Sequence, residues 1–97
     1  VHFQTVTEIN PDDIDARFQY GLCLAQLEQI DEALKQFKEV VAQEKNHADA
    51  FFNIGVAYAY KNELEKALEA FNQAIEIQPD HLLAGNGKKK MEELLTQ

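Results

Sequence analysis

Three histidines and one cysteine are the residues of this sequence best suited to metal binding or nucleophilic chemistry. His2, His47 and His81 lie far apart along the chain, which favours separate surface or packing roles over a shared metal site. Cys23 has no basic neighbour that would favour the thiolate, and the residues around it are small and apolar, so we expect an inert, buried side chain. The sequence therefore predicts no catalytic residue, no metal and no cofactor.

Two short motifs near the end of the chain resemble phosphate-binding sequences only superficially. The glycine-rich stretch 85–87 follows no strand, so it lacks the setting of a phosphate-binding loop. The lysine run 88–90 is followed by Glu92 and Glu93, a pattern typical of a solvated helix face. The whole chain has 9 basic and 17 acidic residues, a formal net charge of −8, which opposes binding to a nucleic-acid backbone. We expect neither an enzyme nor a nucleic-acid partner.

The composition indicates one small helical protein. The chain has 97 residues, 45% of them hydrophobic, with only two prolines and four glycines. Cys23 is the single cysteine and cannot form an intramolecular disulfide, so we expect a cytoplasmic location. No apolar run approaches the roughly 20 residues that span a bilayer, and we expect no membrane partner. The first residue is Val1 rather than methionine, which suggests a piece of a longer polypeptide.

The sequence repeats itself with a shift of 34 residues, and this period organises the rest of the interpretation. Shifting backward places Phe3 on Phe37 and Val6 on Val40, so the chain begins within a repeat. Identical residues include Asp15 and Asp49, Ala16 and Ala50, Phe18 and Phe52, Gly21 and Gly55, Ala33 and Ala67, Leu34 and Leu68, Phe37 and Phe71, and His47 and His81.

Each unit reads as two amphipathic helices, because its apolar residues recur three and four positions apart. Pro11 and Pro79 should each end the helix before it, and Asn62 suits a turn. The expected N-caps of the helices that follow are Asp12, Asp13 and Asp80. The predicted helices cover residues 14–27, 31–44, 48–60 and 64–77.

The second unit resembles the tetratricopeptide repeat, which has an aromatic-x2-L-G-x2-Y motif, then A-x3-F and a proline at a 34-residue period. The residues that carry the resemblance are Phe51, Ile54, Gly55, Tyr58, Ala67, Phe71 and Pro79. The first unit is looser, with Lys45 in place of the proline. The resemblance implies an all-α, right-handed superhelical array of antiparallel helix pairs. It divides a single domain, 1–97, into the second helix of a truncated repeat (1–11), two repeats (14–47 and 48–81) and a C-terminal solvating helix (82–97).

The small residues of the repeat have a mechanical explanation that does not depend on the family. A larger side chain at these positions would separate two helices that must approach closely, and a phenyl ring fills the space beside each of them. The small residues are Gly21, Gly55, Ala33 and Ala67, and the rings belong to Phe37 and Phe71.

The stretch FFNIGVAYAY, residues 51–60, carries two apolar stripes on one helix. One stripe should pack on partner helices, and the resemblance implies that the other lines the concave surface of the array. An apolar patch of this kind usually marks a binding surface, although a neighbouring helix or the C-terminal helix could instead cover Phe18 and Phe52. The expected peptide-binding groove comprises Phe18, Gln19, Leu22, Phe52, Asn53, Val56 and Tyr60.

The expected function is that of a protein-protein interaction module or scaffold. Its partner should be a protein or peptide with apolar anchors and some basic character, because the module is acidic. The family's clamp for a C-terminal carboxylate is not expected: Phe18 and Leu22 replace its lysine and asparagine, and only Asn53 fits. The alternative is a structural role, in which the array forms a homo-oligomer or spaces other domains of a longer polypeptide.

Overall fold

The computed structural model describes residues 13–97, and these residues form five α-helices and no β-strand. This confirms the all-α prediction. The expected helix over residues 1–11, with His2, Phe3 and Val6, lies outside the described residues, as does the expected cap Asp12. The helices are α1 (Ile14–Gln26), α2 (Ile30–Gln43), α3 (Ala48–Tyr60), α4 (Leu64–Ile77) and α5 (Leu82–Leu95).

The helices pack in the order of the sequence, each against the next, and α3 also contacts α5. Helices α1 and α2 form one antiparallel pair and α3 and α4 form the next, because each pair is joined by a turn of only three residues. Helix α5 packs on the second pair as the first helix of a further pair would. The first helices α1, α3 and α5 therefore follow one another along the array, with α2 and α4 between them.

A left-handed residue makes the turn within each pair. Glu28 and Asn62 both have φ of 63°, a conformation that asparagine tolerates better than glutamate. The next residue then closes the turn: the Gln29 N–H donates to the Leu24 carbonyl at 2.9 Å, and the second pair repeats this bond from Glu63 to Tyr58. The turn predicted at Asn62 is confirmed.

Side chains of two kinds cap the N-termini of α1, α3 and α5. Asp13 caps α1, because its Oδ1 accepts a hydrogen bond of 3.0 Å from the Ala16 N–H, as predicted. The prediction that Asp80 caps the last helix is wrong. His81 caps α5 instead, because the helix begins at Leu82 and His81 is the residue directly before it. The Ala84 N–H donates a hydrogen bond of 3.1 Å to Nδ1 of His81.

Close packing of glycine against phenylalanine holds each pair together. A Cβ atom added to Gly21 would lie 2.6 Å from Cε1 of Phe37, and one added to Gly55 would lie 2.6 Å from Cε1 of Phe71. Ala33 and Ala67 are fully buried beside these rings. Helix α5 docks by the same device, because a Cβ on Gly87 would lie 2.8 Å from Cζ of Phe71. The close approach predicted from the small residues is confirmed.

Candidate peptide-binding surface

The seven predicted groove residues lie on α1 and α3, the first helices of the two pairs. Phe18, Gln19 and Leu22 of α1 share a helical face, and the residues 34 positions later occupy the same face of α3. Tyr60 is the last residue of α3 and extends that face by one turn. We refer to Phe18, Gln19, Leu22, Phe52, Asn53, Val56 and Tyr60 as the candidate groove.

The members of the candidate groove differ in exposure. Tyr60 is 70% exposed, and Gln19 is also exposed. The other five residues are half-buried, because one side of each meets the protein interior. Val56 and Phe52, for example, pack against the cluster formed by Ala67, Phe71 and Met91, which joins α4 to α5. Neighbouring helices thus cover part of this face and leave part of it open.

Each groove phenylalanine lies between a second-helix ring and a histidine. The Phe18 ring centroid is 5.8 Å from that of Phe37 and 4.7 Å from that of His47. Both contacts recur one pair later, where the Phe52 centroid is 5.8 Å from that of Phe71 and 5.4 Å from that of His81. The two phenyl rings are held in fixed positions, which suits side chains that present a surface to a partner.

The two histidines pack against the groove phenylalanines and cap the helices that follow them, a pairing that the sequence analysis does not predict. The signal was present, because Phe18 and His47 are separated by the same number of residues as Phe52 and His81. A ring contact that recurs at the repeat period could have been inferred from that spacing. The expected surface or packing role is correct in kind, but the sequence analysis names no partner for either ring.

Polar groups stand beside the apolar stripe of α3. The Asn53 Nδ2 donates a hydrogen bond of 2.8 Å to the backbone carbonyl of Asp49, which orients the amide and leaves its Oδ1 able to accept from a ligand. The Asp49 side chain is 66% exposed, and its Oδ1 lies 2.8 Å from Nε2 of His81. A carboxylate and an amide therefore flank Phe52, and these groups can accept hydrogen bonds from a peptide backbone or pair with a cation.

The opposite stripe of α3 belongs to the interior. Ile54 is buried, and Phe51 and Tyr58 pack against the main core cluster. The Tyr58 ring lies between two lysines, with Nζ of Lys38 at 5.3 Å and Nζ of Lys66 at 5.6 Å from its centroid. These residues line a cavity of about 180 Å³ between α2, α3 and α4. The stretch 51–60 thus has one stripe in the core and one half-exposed stripe.

Two lysines next to this helix form ion pairs that raise their pKa values. A hydrogen bond to Glu63, with Nζ to Oε1 at 3.0 Å, raises the pKa of Lys66. A hydrogen bond to Asp31 of α2 raises the pKa of Lys61, which follows α3. Lys61 thereby ties the end of α3 to the start of α2. Both ammonium groups are fixed by the scaffold rather than offered to the candidate groove.

Within residues 13–97 no group of three or more histidine, cysteine or acidic side chains is arranged to hold a metal ion. Cys23 is half-buried and less enclosed than expected. No described helix is both long enough and apolar enough to cross a membrane.

Comparisons with solved structures agree with this geometry. The structure of YrrB, described as a TPR protein with an unusual peptide-binding site, is 55% identical with a TM-score of 0.88; the match covers 91% of this chain and 45% of YrrB. This chain therefore spans less than half of that protein. The first TPR of Spaghetti (RPAP3), solved with an HSP90 peptide, has a TM-score of 0.92 at 18% identity, covering 98% of this chain and 75% of that one. MamA has a TM-score of 0.89 at 17% identity, covering 97% and 55%.

The last two similarities concern the fold alone, since so low an identity does not extend to binding residues. A search of the curated proteins found no significant match. Family models described as tetratricopeptide repeats match residues 1–51 and residues 48–81. The first of these matches spans more than half of the chain, and together they extend from its first residue to His81. This chain belongs to the tetratricopeptide-repeat family.

Proposed function

We propose that this protein-interaction module binds a peptide or helix of a partner protein in the candidate groove. One observation carries the proposal: α1 and α3 present the same series of phenyl, amide and aliphatic side chains in register, each half-buried or exposed. Tyr60, with 70% of its surface exposed, adds a large aromatic ring at the end of the series. Aromatic residues of this kind supply much of the energy of protein interfaces.

The chemistry of the surface suggests what the partner offers. Apolar side chains would pack on Phe18 and Phe52, and the amides of Gln19 and Asn53 would bind the partner's backbone. Asp49 and the net charge of −8 favour a partner with some basic residues. The 55% identity to YrrB, which has a peptide-binding site, supports a peptide ligand.

The proposal includes the organisation of the domain. The units 14–47 and 48–81 would act as two repeats, and the segment 82–97 would be the helix that closes the array. A non-catalytic role and a cytoplasmic location are parts of the same proposal.

Self-association is the alternative function, and two exposed leucines at the start of α5 support it. Leu82 and Leu83 at the start of α5 are 74% and 57% exposed, and such side chains could meet a second copy. Sedimentation over a wide concentration range separates the two functions. A monomer would leave the candidate groove available, whereas a stable dimer that buries Tyr60 would favour the structural role.

The binding test combines Phe52→Ala with Tyr60→Ala. We expect this double variant to lose at least about tenfold in affinity for peptides that wild type selects from a random peptide library, because it removes both rings of the α3 surface. It should lose some stability but retain its helix content, since Tyr60 is 70% exposed and Phe52 is only half-buried against the cluster of Ala67, Phe71 and Met91. Leu27→Ala, at the turn between α1 and α2, is the matched control: Leu27 is 58% exposed and lies outside the candidate groove.

A third variant distinguishes the surface from the core. Ala67→Leu inserts bulk at a fully buried helix crossing and should cost about 1–3 kcal/mol of stability. Thermal melts of all three variants are compared with their peptide affinities. If the Phe52 and Tyr60 double variant unfolds as readily as Ala67→Leu, or binds as tightly as wild type, the candidate groove is not the binding site.

A further inference from the structure

Helix α5 repeats the register of α3, although Ala84 is the only residue that the two helices share at equivalent positions. Nδ1 of His47, directly before α3, accepts a hydrogen bond of 3.1 Å from the Ala50 N–H. Nδ1 of His81, directly before α5, accepts one of the same length from the Ala84 N–H. Ala50 and Ala84 are both fully buried. The 34-residue equivalence therefore extends along α5, and each groove position of α3 has a counterpart on that helix.

The groove face of α5 differs in chemistry from that of α1 and α3. Asn86 occupies the position equivalent to Phe52, and Lys90 occupies the position equivalent to Val56. Both side chains are exposed, and because they are four residues apart in one helix they lie on the same face. Gly87, at the third equivalent position, offers no side chain. Where α3 presents a phenyl ring and an aliphatic side chain, α5 therefore presents an amide and an ammonium group.

The charge on this face also changes between α3 and α5. The second residue of α1 is Asp15 and that of α3 is Asp49, and both are exposed. The equivalent residue of α5 is Leu83, so the series of carboxylates ends at α3. Lys90 then places a positive charge two helical turns after Leu83. The surface is therefore acidic beside the phenyl rings of α1 and α3, and it carries a cation on α5.

The fold does not neutralise Lys90. Among residues 13–97 Lys90 forms no ion pair, and Glu93, three residues later on α5, does not bind it. In contrast, Lys61 and Lys66 are each held by a carboxylate of the scaffold. The Lys90 ammonium is therefore able to bind a carboxylate from another molecule.

We propose that the candidate groove continues onto α5, where Lys90 and Asn86 bind the carboxylate of an aspartate or glutamate in the partner peptide. The ammonium and the side-chain amide both donate hydrogen bonds, which a carboxylate accepts. The partner therefore carries an acidic residue beyond the apolar side chains that pack on Phe52 and Val56, in addition to basic residues near Asp49. This inference rests on the proposed function, because it assigns the next part of the same surface.

The test is a double-mutant cycle with peptides that the wild-type protein selects from a random peptide library. The peptides are synthesised with an amidated C-terminus, and each acidic residue in turn is replaced by its amide. In wild type, one of these replacements should reduce the affinity about three- to fivefold, the effect of one exposed charge pair. The same replacement should have no effect in Lys90→Gln, because that variant has no charge to pair with the carboxylate.

Lys89→Gln is the matched control. Lys89 is exposed on the same helix but occupies the position equivalent to Gly55, which faces the second helix of its pair. Its replacement should leave the effect of the acidic residue unchanged. Lys90→Glu tests the reverse charge, and from the same library it should select peptides with a basic residue in place of the acidic one. All three variants should melt at the wild-type temperature, because both lysines are exposed.

The outcomes distinguish this inference from the proposed function. If the Phe52 and Tyr60 double variant binds as tightly as wild type, both are wrong. If that variant loses binding but the acid-to-amide replacement costs as much in Lys90→Gln as in wild type, only the continuation onto α5 is wrong. Selected peptides without an acidic residue lead to the same conclusion. A dependence on Lys90 that appears only with a free C-terminal carboxylate would also overturn the inference, because the bound group would then be a chain terminus rather than a side chain.

Discussion

The two helix pairs make the same crossing with different chemistry. In α1–α2, Arg17 reaches across to α2, where its Nη1 lies 2.8 Å from Oε1 of Gln36 and 2.7 Å from Oε1 of Glu39. In α3–α4 the residue equivalent to Arg17 is Phe51, which packs against a core cluster that includes Ala70. One pair is tied by charged and polar groups, and the other by apolar packing.

The glycine and phenylalanine contacts do not differ between the pairs. A Cβ at Gly21 or Gly55 would meet the facing ring at the same 2.6 Å, although Gly55 has closer second and third contacts. This comparison teaches that the close crossing defines the pair, whereas the flanking tether can be ionic or apolar.

The largest effect should come from filling the shared contact. Gly55→Ala places a Cβ against Phe71, and Gly21→Ala places one against Phe37, so each should cost about 1–3 kcal/mol. Gly85→Ala in α5 is the matched control, since a Cβ there meets nothing within 4 Å. That substitution should stabilise the protein by about 1 kcal/mol, the difference between the helix propensities of glycine and alanine.

Urea denaturation of the three glycine variants measures these changes in the free energy of unfolding. A neutral or stabilising Gly55→Ala would show that Phe71 moves aside easily, and the crossing would then not define the pair. Gly87→Ala extends the test to α5: it should resemble Gly55→Ala rather than Gly85→Ala, because Gly87 also faces Phe71.

The sequence predicts the fold well because the packing devices repeat. The 34-residue period gives the glycine and phenylalanine pairs directly, and helices α1 to α4 differ from the predicted ones by at most one residue at either end. Helix α5 ends at Leu95, two residues before the predicted end. The separate roles of Gly85 and Gly87 were missed, although helical spacing places Gly87 on the buried face with Ala84 and Met91.

The candidate site is less predictable because exposure depends on where neighbouring helices end. Whether Phe52 faces solvent depends on the position of α5, which is fixed by Met91 and by the cap at His81. The identity of the cap depends on which residue begins the helix. The sequence pattern favours Asp80 as the cap, but α5 begins at Leu82, so the cap is His81. Local propensity does not resolve such a difference.

The ionic tether should contribute a smaller amount than the shared contact. Glu39→Ala removes one acceptor of Arg17 and should cost about 1 kcal/mol at low salt, because the Glu39 side chain is 43% exposed and the pair is partly screened. Gln73→Ala is the equivalent change in α4 and should be nearly neutral. The residue equivalent to Arg17 is Phe51, which is uncharged, so no ion pair is lost. Denaturation at low and high salt checks both. Equal costs in the two pairs, or a Glu39→Ala cost that does not fall with salt, would contradict the distinction between them.

The smallest effect concerns the turn within each pair. Glu28 and Asn62 share the same left-handed conformation, yet only asparagine is well suited to it. Glu28 is exposed, so Glu28→Asn should change little else and stabilise α1–α2 by about 0.5 kcal/mol. Asn62→Glu should destabilise α3–α4 by a similar amount. The two substitutions therefore test, in opposite directions, the cost of placing glutamate in the left-handed conformation. Thermal melts of both variants and of the double exchange decide the matter: if the turn alone is responsible, the exchange should restore the wild-type midpoint. A midpoint that rises or falls in both single variants would mean that these side chains act through contacts with their surroundings rather than through the backbone conformation.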